Sequence, residues 1–212
     1  MFMKHSTHFE PAEKITLARL GVGHVTEPVS AGLLVGSLVE TTSGWRPVET
    51  LKQGMRVATY DGGFRPVVRL GRRRLSPDGP RKIIHVPAGT IDNCSALNLL
   101  PDQHVFLASQ AAEEVLDTAG ALLPAGALVG YRGIVARPVA APVEVLTVRF
   151  DEEEVVYVNS GALLHCPTAR PDAGDGRVRS EFFEVLDEPR ARAMLALIAD
   201  ATTAGERLRM AA

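Results

Sequence analysis

Two cysteines in 212 residues leave little room for cysteine chemistry. Cys94 and Cys166 lack metal-ligand spacing, and two thiols make at most one bridge, not the disulfide framework of a small secreted domain. Long apolar runs are missing as well, and no stretch reaches the length that a membrane span needs. Neither sign of charge dominates. Lys+Arg 23 against Asp+Glu 25 leave a formal net charge of −2, so nothing electrostatic argues for nucleic-acid or membrane binding. The opening MFMKHSTHFEPAEKITLARL lacks the charged-then-apolar pattern of a secretory signal. A cytoplasmic location is the expectation, with export by a signal-free route left open. There is no glycine-rich phosphate loop, no metal-ligand cluster, no Ser/His/Asp order specific enough to pursue and no solenoid repeat. The D-x-G-x-G within 170–179 lacks the carboxylate ladder of a calcium loop. The expectation is no cofactor and no metal.

What is present is β-sheet signal. A hydrophobic fraction of 46% with 23% charged residues is that of an ordinary globular chain, long enough for a real core. In Met55-Arg56-Val57-Ala58-Thr59-Tyr60, apolar and polar residues alternate with the period of a half-buried strand. Asp61-Gly62-Gly63 supplies a turn and Phe64 to Leu70 reads as the partner strand, which predicts a hairpin over 55–70. Ser43-Gly44 punctuates an earlier pair, Leu38–Thr41 and Arg46–Glu49, and Lys52-Gln53-Gly54 makes a third turn. Arg72-Arg73-Arg74 reads as a solvated strand end in preference to a phosphate site. Leu75–Arg81 is a loop and Lys82–Val86 a strand, while Leu97–Leu100 and His104–Leu107 flank Pro101-Asp102. Val143–Phe150 and Glu154–Asn159 predict a second hairpin around Asp151-Glu152-Glu153. Roughly a dozen short strands at regular spacing make the fold all-β.

The ends differ. Residues 1–30 form an irregular lead-in, with Pro11 to Leu20 as a short helical turn. Residues 170–179 are a polar linker, after which Asp187-Glu188-Pro189 starts a helix. Met194, Leu195, Leu197 and Ile198 give that helix an apolar face, for the β-domain or for a second copy of the chain.

The succession G-S-L-V-E-T, G-W-R-P-V-E, L-x-x-G, V-x-T-x-D-G-G and R-P-V across 36–67 resembles the opening of the Hint (hedgehog/intein) module in its bacterial stand-alone form. P-A-G followed by L-x-x-x-H-x-x-L, then L-P-A-G-A-L at 123–128 and V-V-Y-V-N-S-G-A-L-L-H at 155–165, continue the resemblance. It divides the chain into a lead-in at 1–30, a Hint domain at 31–168, and a linker with a C-terminal helical segment at 169–212. It also implies autoprocessing. A cysteine at the module's first position attacks the preceding carbonyl, a Thr-x-x-His histidine protonates the leaving nitrogen, and inteins finish with a His-Asn pair.

This sequence departs from that pattern at each step. The nucleophile position, four residues before Gly36, is Gly32, with Ser30 a weak substitute and Ser37 a weaker one. His104 matches the Thr-x-x-His histidine, but Pro101 stands for the threonine. His165 matches the penultimate histidine, but Cys166 stands for the asparagine and cannot cyclise. Met55 replaces an aspartate that braces a nearby loop in the family, and Cys94 reads as a bystander. The tentative catalytic residues are His104 and His165. The resemblance thus implies a degenerate, non-splicing module whose chemistry is at most single-turnover autoproteolysis. The alternative is a structural or protein-binding module on the same scaffold. The expected partner is the chain itself, through its C-terminal helix, or another protein.

Overall fold

Tight turns set the local architecture and long-range pairing sets the sheets. The computed structural model describes residues 31–77, 80–110, 113–114, 117–170 and 178–210, the last nine of these as backbone only. The lead-in turn expected at 11–20 and most of the linker lie outside the described residues. Fifteen strands and one α-helix follow one another among the described residues. The strands are β1 (Leu33–Leu34), β2 (Leu38–Thr41), β3 (Gly44–Pro47), β4 (Arg56–Thr59), β5 (Gly63–Pro66), β6 (Arg69–Leu75), β7 (Lys82–Val86) and β8 (Leu97–Leu99). Then come β9 (His104–Ala108), β10 (Gly120–Pro124), β11 (Val135–Pro138), β12 (Val143–Arg149), β13 (Glu154–Val158), β14 (Ala162–Cys166) and β15 (Glu184–Val185). Helix α1 (Glu188–Met210) closes the chain. No helix among the described residues is long and apolar enough to cross a membrane.

Two sheets share the strands. One runs β11-β7-β8-β1-β12-β6, the other β15-β10-β9-β14-β13-β2-β4-β5, with β3 on β2. Among the described residues the strands pair antiparallel, except β10 with β15. Both expected hairpins form, over 38–47 and 56–66, but Val48 and Glu49 belong to a short helical turn and not to the expected strand at 46–49. Their continuation does not follow the expectation. Phe64 to Leu70 is not one strand: the chain breaks at Val67-Val68 and re-enters the other sheet as β6. Val67 is buried at the break, accepting from Gly54 N and donating to Met55 O, both at 2.8 Å. Leu75 ends that strand and is not part of a loop.

The hairpin expected over 143–159 is also overturned. β12 pairs with β1 and β6, whereas β13 pairs with β14, β2 and β4. Phe150, buried at the crossing, holds Thr168 in a bridge and accepts a hydrogen bond from Ala169 N at 2.6 Å. Alternation identified both strands correctly. It carries no information on which sheet each joins.

The true neighbour of β13 is β14, across the turn Asn159-Ser160-Gly161. All three residues there have positive φ, of 48°, 62° and 159°. Asn159 affords this because its side chain is a buried connector, accepting from Leu38 N at 2.8 Å and donating to Ala96 O at 3.1 Å.

A main core of Val, Leu and Ile side chains fills the space between the sheets, and Phe106, Leu122 and Val155 form a separate apolar cluster with Phe183 and Val185. Helix α1 starts where expected. Asp187 caps it by accepting Arg190 N at 2.9 Å, which satisfies one of the free donors of the first turn. The helix packs on the β-domain: Ala191, Met194 and Leu195 are buried in the main core, against the turn at Ala125–Leu128 and β10. Ile198 is half-buried there, but Leu197 is exposed and does not belong to the packed face. Leu197 lies on the far side because the buried stripe follows 191, 194, 195 and 198, the spacing of one helical face.

Candidate functional site

The two expected histidines lie on neighbouring strands. His104 opens β9 and His165 sits near the end of β14. The register Leu164↔Val105 sets them directly across from one another, since antiparallel partners step in opposite directions. Between this pair and Gly32 lies a residue that no motif flagged. Gln103 is buried, and its Oε1 accepts the Gly32 amide at 2.9 Å. Its Nε2 donates to the carbonyls of His165 at 2.8 Å and His104 at 3.0 Å. One carboxamide therefore joins the start of the module, the Thr-x-x-His position and the closing histidine.

Gly32 has no side chain and no room for one. Its φ is +134°, a conformation that L side chains rarely adopt. A Cβ there would stand 2.7 Å from Val145 Cγ1 and 3.0 Å from the Leu146 carbonyl oxygen. Both neighbours lie on β12, the strand between β1 and β6, and one of them is backbone. Ser30 lies outside the described residues. Ser37 is buried, with its backbone held by Leu34 and Val48.

The chemistry of His104 is fixed by its surroundings. A carbonyl only accepts, so the 2.9 Å contact to Asp102 O places the ring proton on Nδ1. Burial lowers its pKa, the Asp102 carbonyl and carboxylate raise it, and His165 lowers it further, leaving it below the ordinary histidine value. The neutral ring then has its one proton engaged at Nδ1 and a bare Nε2.

His165 is buried and tied to Glu153, Nε2 to Oε2 at 2.8 Å. In the sequence Glu153 reads only as part of a hairpin turn. Instead its Oε1 also accepts Ser180 Oγ at 2.8 Å and Glu181 N at 2.7 Å, so the carboxylate fastens the segment after the linker to β14. Burial is the largest influence on this carboxyl and opposes its charge. The hydrogen bonds from His165, Ser180 and Glu181, with the His165 charge, outweigh it and hold the carboxyl below the ordinary value. Cys166, next in line, is fully packed in the main core. Burial, with the nearby Glu154 charge, pushes its thiol up to about 12, so it is protonated and unreactive at neutral pH. Cys94 is exposed, its Sγ 3.5 Å from Ser160 O, and both cysteines are free thiols. Met55 does brace its loop: its Sδ accepts Lys52 N at 3.2 Å, where the family's aspartate would offer a carboxylate.

Both lowered pKa values place their stability at higher pH. The His104 contribution is complete above 6.5 and fades as pH falls from there toward its folded value. The Glu153 contribution is complete above 4.5 and is lost as pH falls through its folded value. The melting temperature should therefore decline in two stages on acidification. In Glu153→Gln the second stage should flatten, and a variant that keeps the full decline below pH 4.5 would contradict the assignment.

The model of the Hint domain family matches residues 31–163, well over half of the chain. A bacterial intein-like domain from Clostridium thermocellum, solved in solution, is 19% identical, with 64% of this chain and 98% of that chain covered and a TM-score of 0.47. A splice-inactive variant of the AceL NrdHF class 3 split intein is 14% identical over 66% of this chain and 99% of that one, at a TM-score of 0.45. The gp41-1 intein is 11% identical over 66% and 100%, at 0.40. No curated protein matches. Because the family model matches residues 31–163, more than half of the chain, the chain belongs to the Hint domain family.

Proposed function

We propose that this Hint domain is a degenerate, non-splicing form that keeps the scaffold of an autoprocessing family without its thioester chemistry. The observation that carries this reading is Gly32: a nucleophile is absent from the position, and Val145 and Leu146 occupy the space where its first side-chain atom would stand. The acid side of the reaction is equally short of means. The Ala31–Gly32 amide nitrogen is held by a carboxamide oxygen, which has no proton to give. His104 carries its proton on Nδ1 against Asp102, and its lowered pKa keeps Nε2 bare. A leaving nitrogen needs an acid in reach. At the far end, Cys166 cannot cyclise as an asparagine does. A structural or protein-binding module is the alternative, and it shares the absence of cleavage. The surface that favours it is the arginine-bearing edge of β6.

The test is Gly32→Cys in the full chain, with intact mass followed over long incubation with thiol and hydroxylamine. The mass should stay unchanged, as in the parent. The substitution should also cost about 3 kcal/mol, from left-handed backbone strain and the clash with β12. Cleavage near residue 32 that depends on His104 would overturn the proposal. Cleavage of the parent chain itself would do so more directly, with Ser30 as the nucleophile to examine.

A further inference from the structure

β6 is the last strand of its sheet, paired with β12 along seven residues and with no strand on its other side among the described residues. Val35 N donates to Glu144 O at 3.1 Å, so the peptide groups of residues 144, 146 and 148 face β1 and those of 143, 145, 147 and 149 face β6. By the register Leu75↔Val143, β6 turns the peptide groups of Leu70, Arg72 and Arg74 outward. Arg69, Arg72, Arg73 and Arg74 are all exposed along this edge. Alternation puts Arg72 and Arg74 on one face and Arg69 and Arg73 on the other, so an added strand meets guanidinium groups on both sides.

We propose that the outer edge of β6 is a docking strand for an extended acidic segment of a partner protein, added by backbone pairing. The chain as a whole has a formal charge of −2, so this run of arginines is a local feature and not a reflection of a basic protein. Like charges disfavour a second copy of the same edge, which is how charged edge strands commonly prevent self-pairing. The same charges complement an acidic strand, with main-chain bonds supplying affinity and the arginines selectivity. A polyphosphate fits less well. Glu144 lies across from Arg74 and holds Arg72 at 3.2 Å, and the Glu49 carbonyl takes a second Arg72 donor. The Glu144 carboxylate interrupts the row of arginines and disfavours a continuous polyanion, and a row of outward peptide groups has no use for one.

The experiment is fluorescence anisotropy with the full chain and a labelled, acetylated octapeptide of alternating glutamate and valine. The lysine–valine peptide, the glutamate peptide with alternate N-methyl amides, and a single-stranded oligothymidylate are compared with it. The glutamate peptide should bind, weaken with salt and slow amide exchange at Leu70, Arg72 and Arg74. N-methylation, and Arg69→Glu with Arg74→Glu, should each weaken it by about tenfold or more. The N-methyl arm uses the unaltered protein, so it decides even if the double variant folds poorly. Absence of glutamate-peptide binding overturns the proposal. So does equal binding of the lysine or N-methyl peptide, or tighter binding of the oligonucleotide. Self-cleavage, read separately by mass, leaves these outcomes unaffected.

Discussion

Replacing Gln103 by alanine should cost about 3–5 kcal/mol, a large share of the stability of a domain this size. The reason lies in what its carboxamide satisfies. Gly32 N, His104 O and His165 O all bond to this one buried side chain. Removing it leaves the half-buried Gly32 donor without this partner, at about 1–3 kcal/mol, takes a donor from two carbonyls and opens a cavity. Gln103→Met separates the contributions, since it fills much of the volume without the hydrogen bonds. It should still lose about 2 kcal/mol in chemical denaturation. A methionine variant within about 0.5 kcal/mol of the parent would mean that packing, and not the bonds to Gly32 and the two histidine carbonyls, is what Gln103 supplies.

How much of this could be read from the residues alone depends on range. The hairpins of 38–47 and 56–66 follow from turns a few residues long, and β7 is bounded by a loop and a proline, so local chemistry suffices. The breaks at Val67-Val68 and Phe150 were not legible, because sheet membership is decided by partners as distant as β6 and β12. The two histidines were found through motif spacing. Gln103 was not, although its position offered a clue. It lies one residue before β9, on the same alternating face as buried Val105, where a polar side chain must find partners. Glu153 offered no such clue. It reads as one acid in a run of four, Asp151 to Glu154, and only the fold brings His165, Ser180 and Glu181 to it. At Gly32 the sequence shows the missing nucleophile, but the occlusion by Val145 and Leu146 depends on a strand more than a hundred residues away.

Truncation after Ala169 should abolish cooperative folding, although the matched family region ends at residue 163. Leu186, Met194 and Leu195 belong to the main core, and burying each contributes about 1.5–3 kcal/mol. Their sum alone approaches the whole stability of about 5–15 kcal/mol expected for such a domain. The loss extends to what they cover. Leu122 loses the backbone bond from Leu186 N at 2.9 Å and the β15 pairing, Phe106 loses the Phe183 ring at 5.1 Å, and Glu153 loses Ser180 and Glu181. The shortened chain should show dye-accessible apolar surface and a broad, non-sigmoidal melt. The full-length double variant Met194→Asp/Leu195→Asp should move in the same direction, which separates lost burial from any effect of shortening the chain. A truncated protein that melts sharply within about 5 °C of the parent would show the segment to be an appendage. The expected collapse would instead make residues 178–198 a structural part of the domain, completing a core that the matched region leaves open.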